Sequence, residues 1–473
     1  MTLMWRRYLL WFANEHVNFR IPELDSILSM YAIPLKWIEG PSDLPFVVAE
    51  LPSEESVKLL ASRSVSLRCA IELWGRAKTR DGLHKEMKAF PHEQMSPYFG
   101  PNTSFRVKVE TFCKTISQKE KVEKIEEFNY LPIEGPVNLS NPDVVLHLIE
   151  YYGLEPNNIP EKPYDLFFGR WVCDGRRDLI CKLSLKKRRF IGNTSMDSQL
   201  SILMANQGRV MPADLVLDPF VGTGSLLVAA GQFGGFVWGT DIDFLMLHGK
   251  TRPSRITQKK REVGESVEAN MDQYNCLDKY LDVIVADSAL PLWRSSLVLD
   301  AIITDPPYGI REAAERIGRA VKPGEEDEEY RISEEHLLAG HVPSKVVYSL
   351  KQIFHDLLRF AAHHLKLGGR LVFWIPIIRS DYRDGSEEDL PKHKCLTLVA
   401  NSEQVLSAHS SRRLLTYEKT AEMGGAAEGG AEGGRFDNKA FRACYFNQLR
   451  QSEHAQVSDS KCNGKDIESL GKC

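Results

Sequence analysis

Leu215-Val216-Leu217-Asp218-Pro219-Phe220-Val221-Gly222-Thr223-Gly224-Ser225 runs from a short apolar strand through a glycine turn into a helix, Ser225 to Gly231. A turn with two glycines between strand and helix lets a ligand approach the backbone closely. No Lys-Ser or Lys-Thr follows, so it is not a Walker loop, and Leu227 breaks the Gly-x-Gly-x-x-Gly pattern. Around it the chain becomes regular. Phe236-Val237-Trp238, Leu281 to Ala286 and Asp300 to Thr304 read as strands, the last two apolar on both sides as buried parallel strands are. Lys345 to Leu367 reads as a long helix closed by Gly368-Gly369. Leu371 to Ile375 follows as a strand, with Leu396 to Ala400 and Arg413 to Glu418 as a closing pair. Strands alternating with helices predict a doubly wound α/β domain.

Ligands of open α/β sheets bind outside the carboxyl ends of the strands. Asp218, Asp241 and Asp287 all fall at such ends, and a carboxylate at the second strand's end suits the hydroxyls of a ribose. Asp287, in Val285-Ala286-Asp287-Ser288, either accepts from an adenine amino group or caps a helix. Asp305-Pro306-Pro307-Tyr308-Gly309 follows the fourth strand. Its prolines remove amide donors and stiffen the turn. The Asp305 carboxylate and the Pro306 carbonyl are then neighbouring acceptors, which suits the two donors of a planar amine. Tyr308 offers a flat face for a base or amide.

Outward from this core the signals weaken. Tyr8 to Phe12, Phe46 to Leu51, Cys69 to Trp74 and Ser104 to Phe112 read as strands. Pro22 to Tyr31, Glu54 to Ser62 and Lys119 to Phe128 read as helices, and Val144 to Glu150 as a strand or short helix. Residues 170–189 hold eight basic side chains against Asp174 and Asp178. Such a run is either a solvated surface hairpin or a grip on a phosphate backbone. Glu325 to Glu329 reads as a solvated acidic loop, Gly424 to Gly434 as a flexible linker, and the polar tail beyond as disordered.

The chain of 473 residues is long enough for roughly two to four domains. Sixty basic against 64 acidic side chains leave a formal charge of −4, so any nucleic-acid contact must come from a local patch. Trp5 to Ala13 lacks a small-residue cleavage site and reads as a buried first strand, not a signal peptide. No apolar stretch approaches the ~18 residues of a membrane span. Nine cysteines without a Cys-x-x-Cys pair, and histidines without ligand-like spacing, predict a reduced cytoplasmic protein with no metal site of its own.

The order of the glycine turn, Asp241 and Asp305-Pro306-Pro307-Tyr308 resembles an S-adenosylmethionine-dependent amino-methyltransferase. More narrowly, the chain is similar to the THUMP-domain tRNA guanine-10 N2-methyltransferases, through Ile191-Gly192-Asn193-Thr194-Ser195-Met196-Asp197 and the continuation Gly309-Ile310-Arg311-Glu312. The resemblance covers roughly residues 1–420. It implies a ferredoxin-like domain at 1–60, a THUMP RNA-binding domain at 61–185 and a class I, Rossmann-like methyltransferase domain at 186–420, with a linker and tail at 421–473. It also implies that Phe220, Gly222 and Gly224 serve the cofactor's methionine end, with Thr194 and Ser195 near its carboxylate. Asp218 belongs to the same cofactor turn, Asp241 to the ribose and Asp287 to the adenine. Asp305, Pro306 and Tyr308 are expected to hold the target base. Partners implied by the resemblance alone are tRNA and a small zinc-binding activator subunit.

The expected reaction is methyl transfer to guanine N2, whose lone pair is delocalised into the ring and is freed by acceptors on its two hydrogens. A base paired in a stem must be extruded first, at a few kcal/mol. Three other readings share these residues: a DNA amino-methyltransferase, a protein-amide methyltransferase (where Asn normally stands in place of Asp305) and a non-catalytic RNA-binding subunit.

Overall fold

Two sheets collect nearly all the apolar runs, one on each side of residue 180. The computed structural model describes residues 5–310, 312–318, 343–380, 382 and 389–424, and the backbone of 431 and 432. It divides into two compact units, up to Leu179 and from Ile180.

The first unit contains β1 (Arg6–Phe12), β2 (Lys36–Trp37), β3 (Phe46–Leu51), β4 (Leu67–Ala77), β5 (Phe105–Phe112), β6 (Val144–Tyr151) and β7 (Asp165–Asp174). They form one sheet in the order β2-β3-β1-β4-β7-β6-β5, antiparallel except for the β5–β6 pair. The ambiguous run after Asp143 is thus a strand. The helices Arg20–Met30 and Glu54–Ala61 press Leu24, Ile27, Val57 and Leu60 against Tyr8, Leu10 and Phe12 of β1. A second core joins Leu83 and Met87 to Leu146, Leu148 and Phe168. Leu67 and Ala70 of β4 belong to the first core and Trp74 to the second. Leu60 itself belongs to the first core, and β4 carries one continuous sheet from that core into the second.

Of the two readings of residues 170–189, the surface hairpin does not form. β7 ends at Asp174 and the helix Asp178–Lys182 follows. Arg170 is buried between Glu54 and Glu72, its Nε 3.0 Å from the latter. Arg176 pairs with Asp178, Arg177 with Glu15 and Arg189 with Asp272. Arg188 is buried, donating to Ser225 Oγ at 2.6 Å and to the Leu183 carbonyl at 2.9 Å. Burying a guanidinium is tolerable only with such partners. Most of them lie far away in sequence, so a local count sees unpaired charge.

The second unit contains β8 (Leu215–Asp218), β9 (Phe236–Asp241), β10 (Tyr280–Val285), β11 (Leu299–Thr304), β12 (Glu315–Ile317), β13 (Lys345–Val347) and β14 (Leu365–Ile378). β15 (Lys392–His393), β16 (Leu396–Val405), β17 (Ser410–Lys419) and β18 (Ala431–Glu432) complete it. The main sheet has the order β10-β9-β8-β11-β14-β17-β16-β15-β18, while β12 and β13 pair separately. Its first five strands are parallel and the rest antiparallel. From β8 the chain adds strands first on one side, then on the other, which puts the topological switch between β8 and β11.

Three expectations change here. The long helix is shorter: Leu350–His364, opened by a capping box of Ser349 and Gln352. Val346 and Val347, β-branched, belong to β13 instead. Gly368 and Gly369 lie inside β14, where the register against β11 jumps from Leu299↔Leu365 to Ala301↔Arg370 and Gly368 takes φ +76°. They form a strand irregularity, not a helix end. β10 is an edge strand with Leu281, Ile284 and Val285 exposed at 52%, 42% and 41%, so it is not buried on both sides. Glu325 to Glu329 and the tail from 433 lie outside the described residues, and of the Gly/Ala/Glu stretch Ala431–Glu432 pairs with β15. Among the described residues no helix is long and apolar enough to cross a membrane.

Candidate active site

The switch point opens into a cavity of about 1040 Å³ at the carboxyl ends of β8, β9 and β11. Pro219 and the glycines turn the chain there because β8 is buried and must hand over to the helix Ser225–Gly231 without a clash. Gly222 and Gly224 take φ +49° and +76°, the left-handed region that favours glycine. A Cβ on Gly222 would meet nothing within 4 Å, so a ligand can lie directly on that backbone. A Cβ on Gly224 would fall 2.5 Å from Val267 Cγ1. Gly222 lines the cavity; Gly224 does not, and serves the turn and its packing.

Asp218 is fully buried and accepts from Thr304 Oγ1 at 2.6 Å and from the Phe220 amide at 3.0 Å. Burial pushes its carboxyl up to about 7. Asp241 accepts from the Gly222 amide and from the Asp243 amide, each at 2.9 Å, and burial raises its pKa as well. The second strand end is thereby stitched to the glycine turn. Ser195 Oγ is 2.6 Å from Thr223 Oγ1 and accepts from the Gly192 amide at 2.8 Å. Thr194 Oγ1 donates to Glu312 at 3.0 Å. Asp287 caps no helix: its carboxylate accepts from the Ala289 amide at 2.9 Å and from the Ile317 amide at 2.6 Å, tying β12 to the cavity wall.

Asp305 and Pro306 line the same cavity. The Tyr308 hydroxyl donates to Asp305 Oδ1, so its phenol reaches the carboxylate besides offering a ring face. Arg412 on β17 puts Nη1 3.5 Å from Asp305 Oδ2. Burial raises the Asp305 pKa, and the Arg412 cation and the Tyr308 hydrogen bond pull the other way. A desolvated carboxylate beside two donors is a strong acceptor for an incoming amine.

Thr194, Ser195, Asp218, Phe220, Gly222, Asp241, Asp287, Asp305, Pro306 and Tyr308 all border one cavity. Sequence reasoning missed Arg412, Gln404 and Glu312 on its wall. Arg412 carries no motif; only its place on a closing strand next to the parallel sheet brings it to the switch point.

Residues 6–177 match the family described as Tmrp11 THUMP N-terminal domain, and residues 186–322 the family described as RMKL-like, methyltransferase domain. The chain is 46% identical over 419 residues to tRNA (guanine(10)-N(2))-methyltransferase TRMT11 of Gallus gallus, covering 88% of this chain and 89% of that protein. It is 45% identical over 418 residues to the Homo sapiens protein of that name, again covering 88% and 89%. The tRNA (guanine(10)-N(2))-methyltransferase of Saccharomyces cerevisiae is 34% identical over 450 residues, covering 94% of this chain and all of that one. The chain belongs to the tRNA (guanine(10)-N(2))-methyltransferase family.

Proposed function

We propose that this chain transfers the methyl group of S-adenosyl-L-methionine to the exocyclic N2 amine of guanosine at position 10 of tRNA. The observation that carries this is the convergence of the Gly222 backbone, Asp241 and the Asp305–Pro306 acceptor pair on one cavity at the sheet's switch point.

The chain's residues divide the work. The open backbone at Gly222, with Phe220, suits the methionine end, and Ser195 with Thr223 suits its carboxylate. Asp241 suits the ribose hydroxyls and Asp287 the adenine amine. Bound there, the cofactor's sulfonium supplies the electrophilic methyl. Asp305 and the Pro306 carbonyl accept the two hydrogens of guanine N2, which turns its lone pair out of conjugation and toward the methyl. The incoming amine replaces the Tyr308 hydroxyl on Asp305, and the phenol ring is then free to stack on the base. Alignment and the fixed charge of Asp305 lower the rest of the barrier.

RNA contact finds support in the first unit. There a second cavity of about 380 Å³ sets Arg68, Arg106 and Lys108 among the indoles of Trp11 and Trp171. Cations interleaved with aromatic rings suit a phosphate backbone with unpaired bases. A small zinc-binding activator subunit completes the enzyme in this reading, with this chain as catalytic subunit. The exposed apolar edge at Leu281, Ile284 and Val285 supports it, because an unpaired strand accepts a partner's strand and shields its apolar side chains.

The test is methyl transfer from labelled S-adenosylmethionine to total tRNA, with and without cell extract, followed by nucleoside analysis. Label in N2-methylguanosine is the expected result, and dependence on extract identifies the need for a second subunit. Label confined to DNA or protein would overturn the reading.

A further inference from the structure

We propose that Arg412 selects guanine by donating to its O6 while Asp305 and Pro306 hold the N2 amine. The proposal rests on the function given above and adds the residue that reads the base.

Arg412 is unusually well held for a side chain on the wall of a cavity. Its guanidinium lies 4.2 Å from the centroid of the buried Trp374 ring. Its Nε donates to Gln404 Oε1 at 2.7 Å, across the β16–β17 pair where the two residues are in register. Nη2 meets the Met196 sulfur at 3.6 Å. The plane of the fork is therefore fixed by an aromatic face, an amide and a thioether, none of which removes its charge.

The contact with Asp305 is loose by comparison. Arginine and carboxylate normally close to about 2.7–2.9 Å, often through two parallel bonds. Here one Nη stands 3.5 Å from one oxygen. With five donors on the fork, and Gln404, Met196, Asp305 and the Tyr308 hydroxyl as its partners among the described residues, an N–H remains for a further acceptor. Among the described residues the other Lys or Arg on this wall, Lys345, faces Glu315 at 3.8 Å.

The chemistry of the base supplies that acceptor. The Watson–Crick edge of guanine runs from the N2 amine through N1–H to the O6 carbonyl, and O6 is a preferred partner of arginine. With N2 on Asp305 and Pro306, O6 projects along the same edge toward the neighbouring wall, where a donor is required. Adenine held by its amine would place a ring nitrogen and then C2–H along this edge and leave the fork unmatched. A site built to hydrogen-bond one substrate group rejects an analogue that lacks it.

The experiment compares tRNA carrying guanine with tRNA carrying 2-aminopurine at the target position, for the full chain with its activating extract and for Arg412→Met. 2-Aminopurine keeps the amine to be methylated and lacks O6. Its loss of N1–H is common to both enzymes and cancels when the two ratios are compared. The unmodified enzyme is expected to prefer guanine in kcat/KM by roughly 10- to 100-fold more than the variant does. An equal loss on both substrates, with the preference unchanged, would assign Arg412 to holding Asp305 and overturn the proposal. Cofactor binding by each protein verifies the fold. Should Arg412→Met fail that check, Arg412→Lys carries the same comparison, because it keeps the charge and loses the fork. If the unmodified enzyme leaves guanine unmethylated, the functional reading fails instead.

Discussion

Thr304 Oγ1 donates to Asp218 Oδ1 at 2.6 Å and joins the carboxyl ends of β11 and β8, the two strands that flank the switch point. The glycine turn begins after Asp218 and the Asp305 turn after Thr304, so this bond adds to the β8–β11 pairing a direct tie between the cofactor side and the acceptor side. Thr304→Val keeps the shape and removes the donor from a buried carboxylate, a loss of about 1.5–3 kcal/mol. Chemical denaturation should register that loss, and steady-state kinetics should show a fall in kcat along with it. A stable variant with unaltered turnover would mean that the two turns are held independently.

Asp218 also makes stability depend on pH. Its carboxyl rises from the ordinary 3.8 to about 7, with burial as the largest cause. The folded state therefore holds this proton more tightly than the unfolded chain does. The stabilisation is fully present below 3.8 and is lost as pH rises through about 7, on the order of 4 kcal/mol in all. Asp218→Asn removes the titration. Melting temperatures of the cofactor-free protein should show the variant gaining on the unmodified chain between about pH 4 and pH 7.5. A constant difference across that range would place the titration elsewhere.

Asp305→Ala should leave cofactor binding intact and lower methyl transfer by roughly 10²–10⁴-fold. The same carboxylate fixes the acid side of the pH profile. Only the ionised form accepts from the amine with both oxygens, and burial raises its pKa. Turnover should therefore climb with pH through a value above the usual aspartate range. Calorimetric titration with cofactor and single-turnover rates across pH separate the two effects. A profile flat on its acid side would argue against ionised Asp305 as the acceptor.

The legible parts of this molecule were those written in local order. A glycine turn after a buried strand and a Pro-Pro turn after another state their own geometry, and the residues read from these turns and from strand ends border one cavity with Thr194, Ser195 and Phe220, which the family resemblance alone supplied. What stayed hidden depends on pairing across the sheet. Arg412 reaches Asp305 because β17 runs antiparallel beside β14, which no run of residues announces. β10 reads as buried from its composition, yet edge position is a property of sheet order. Tyr308 was expected to present its ring, and nothing near it in sequence foretold that its hydroxyl reaches back to Asp305.

The edge at β10 can be tested without disturbing the site. Leu281 and Ile284 are exposed, so lysine at both positions should leave the fold and cofactor binding of the isolated chain unchanged. If a partner strand covers them, the double variant should lose stimulation by the activating extract, by roughly 30-fold or more in apparent affinity. Full stimulation of Leu281→Lys/Ile284→Lys would move the activator to another surface.

The basic run at 170–189 makes the last case, because its members should part company when removed. Arg188 is buried with its donors on Ser225 and Leu183, so Arg188→Ala leaves a void and two unmatched acceptors next to the glycine turn. Leaving a buried acceptor unsatisfied costs about 1–3 kcal/mol. Its signature is a lowered melting temperature, with cofactor affinity falling because Ser225 opens the helix after that turn. Lys186 and Lys187 are exposed, and their loss should leave the melting temperature within a degree or so, since exposed substitutions are typically within about 0.5 kcal/mol. If these lysines meet phosphate, the double alanine variant should weaken tRNA binding and reduce its salt dependence by about one unit of log–log slope for each lysine in contact. Measuring melting temperature and salt-dependent tRNA affinity on the same two variants decides which cations of the run hold the fold and which hold RNA.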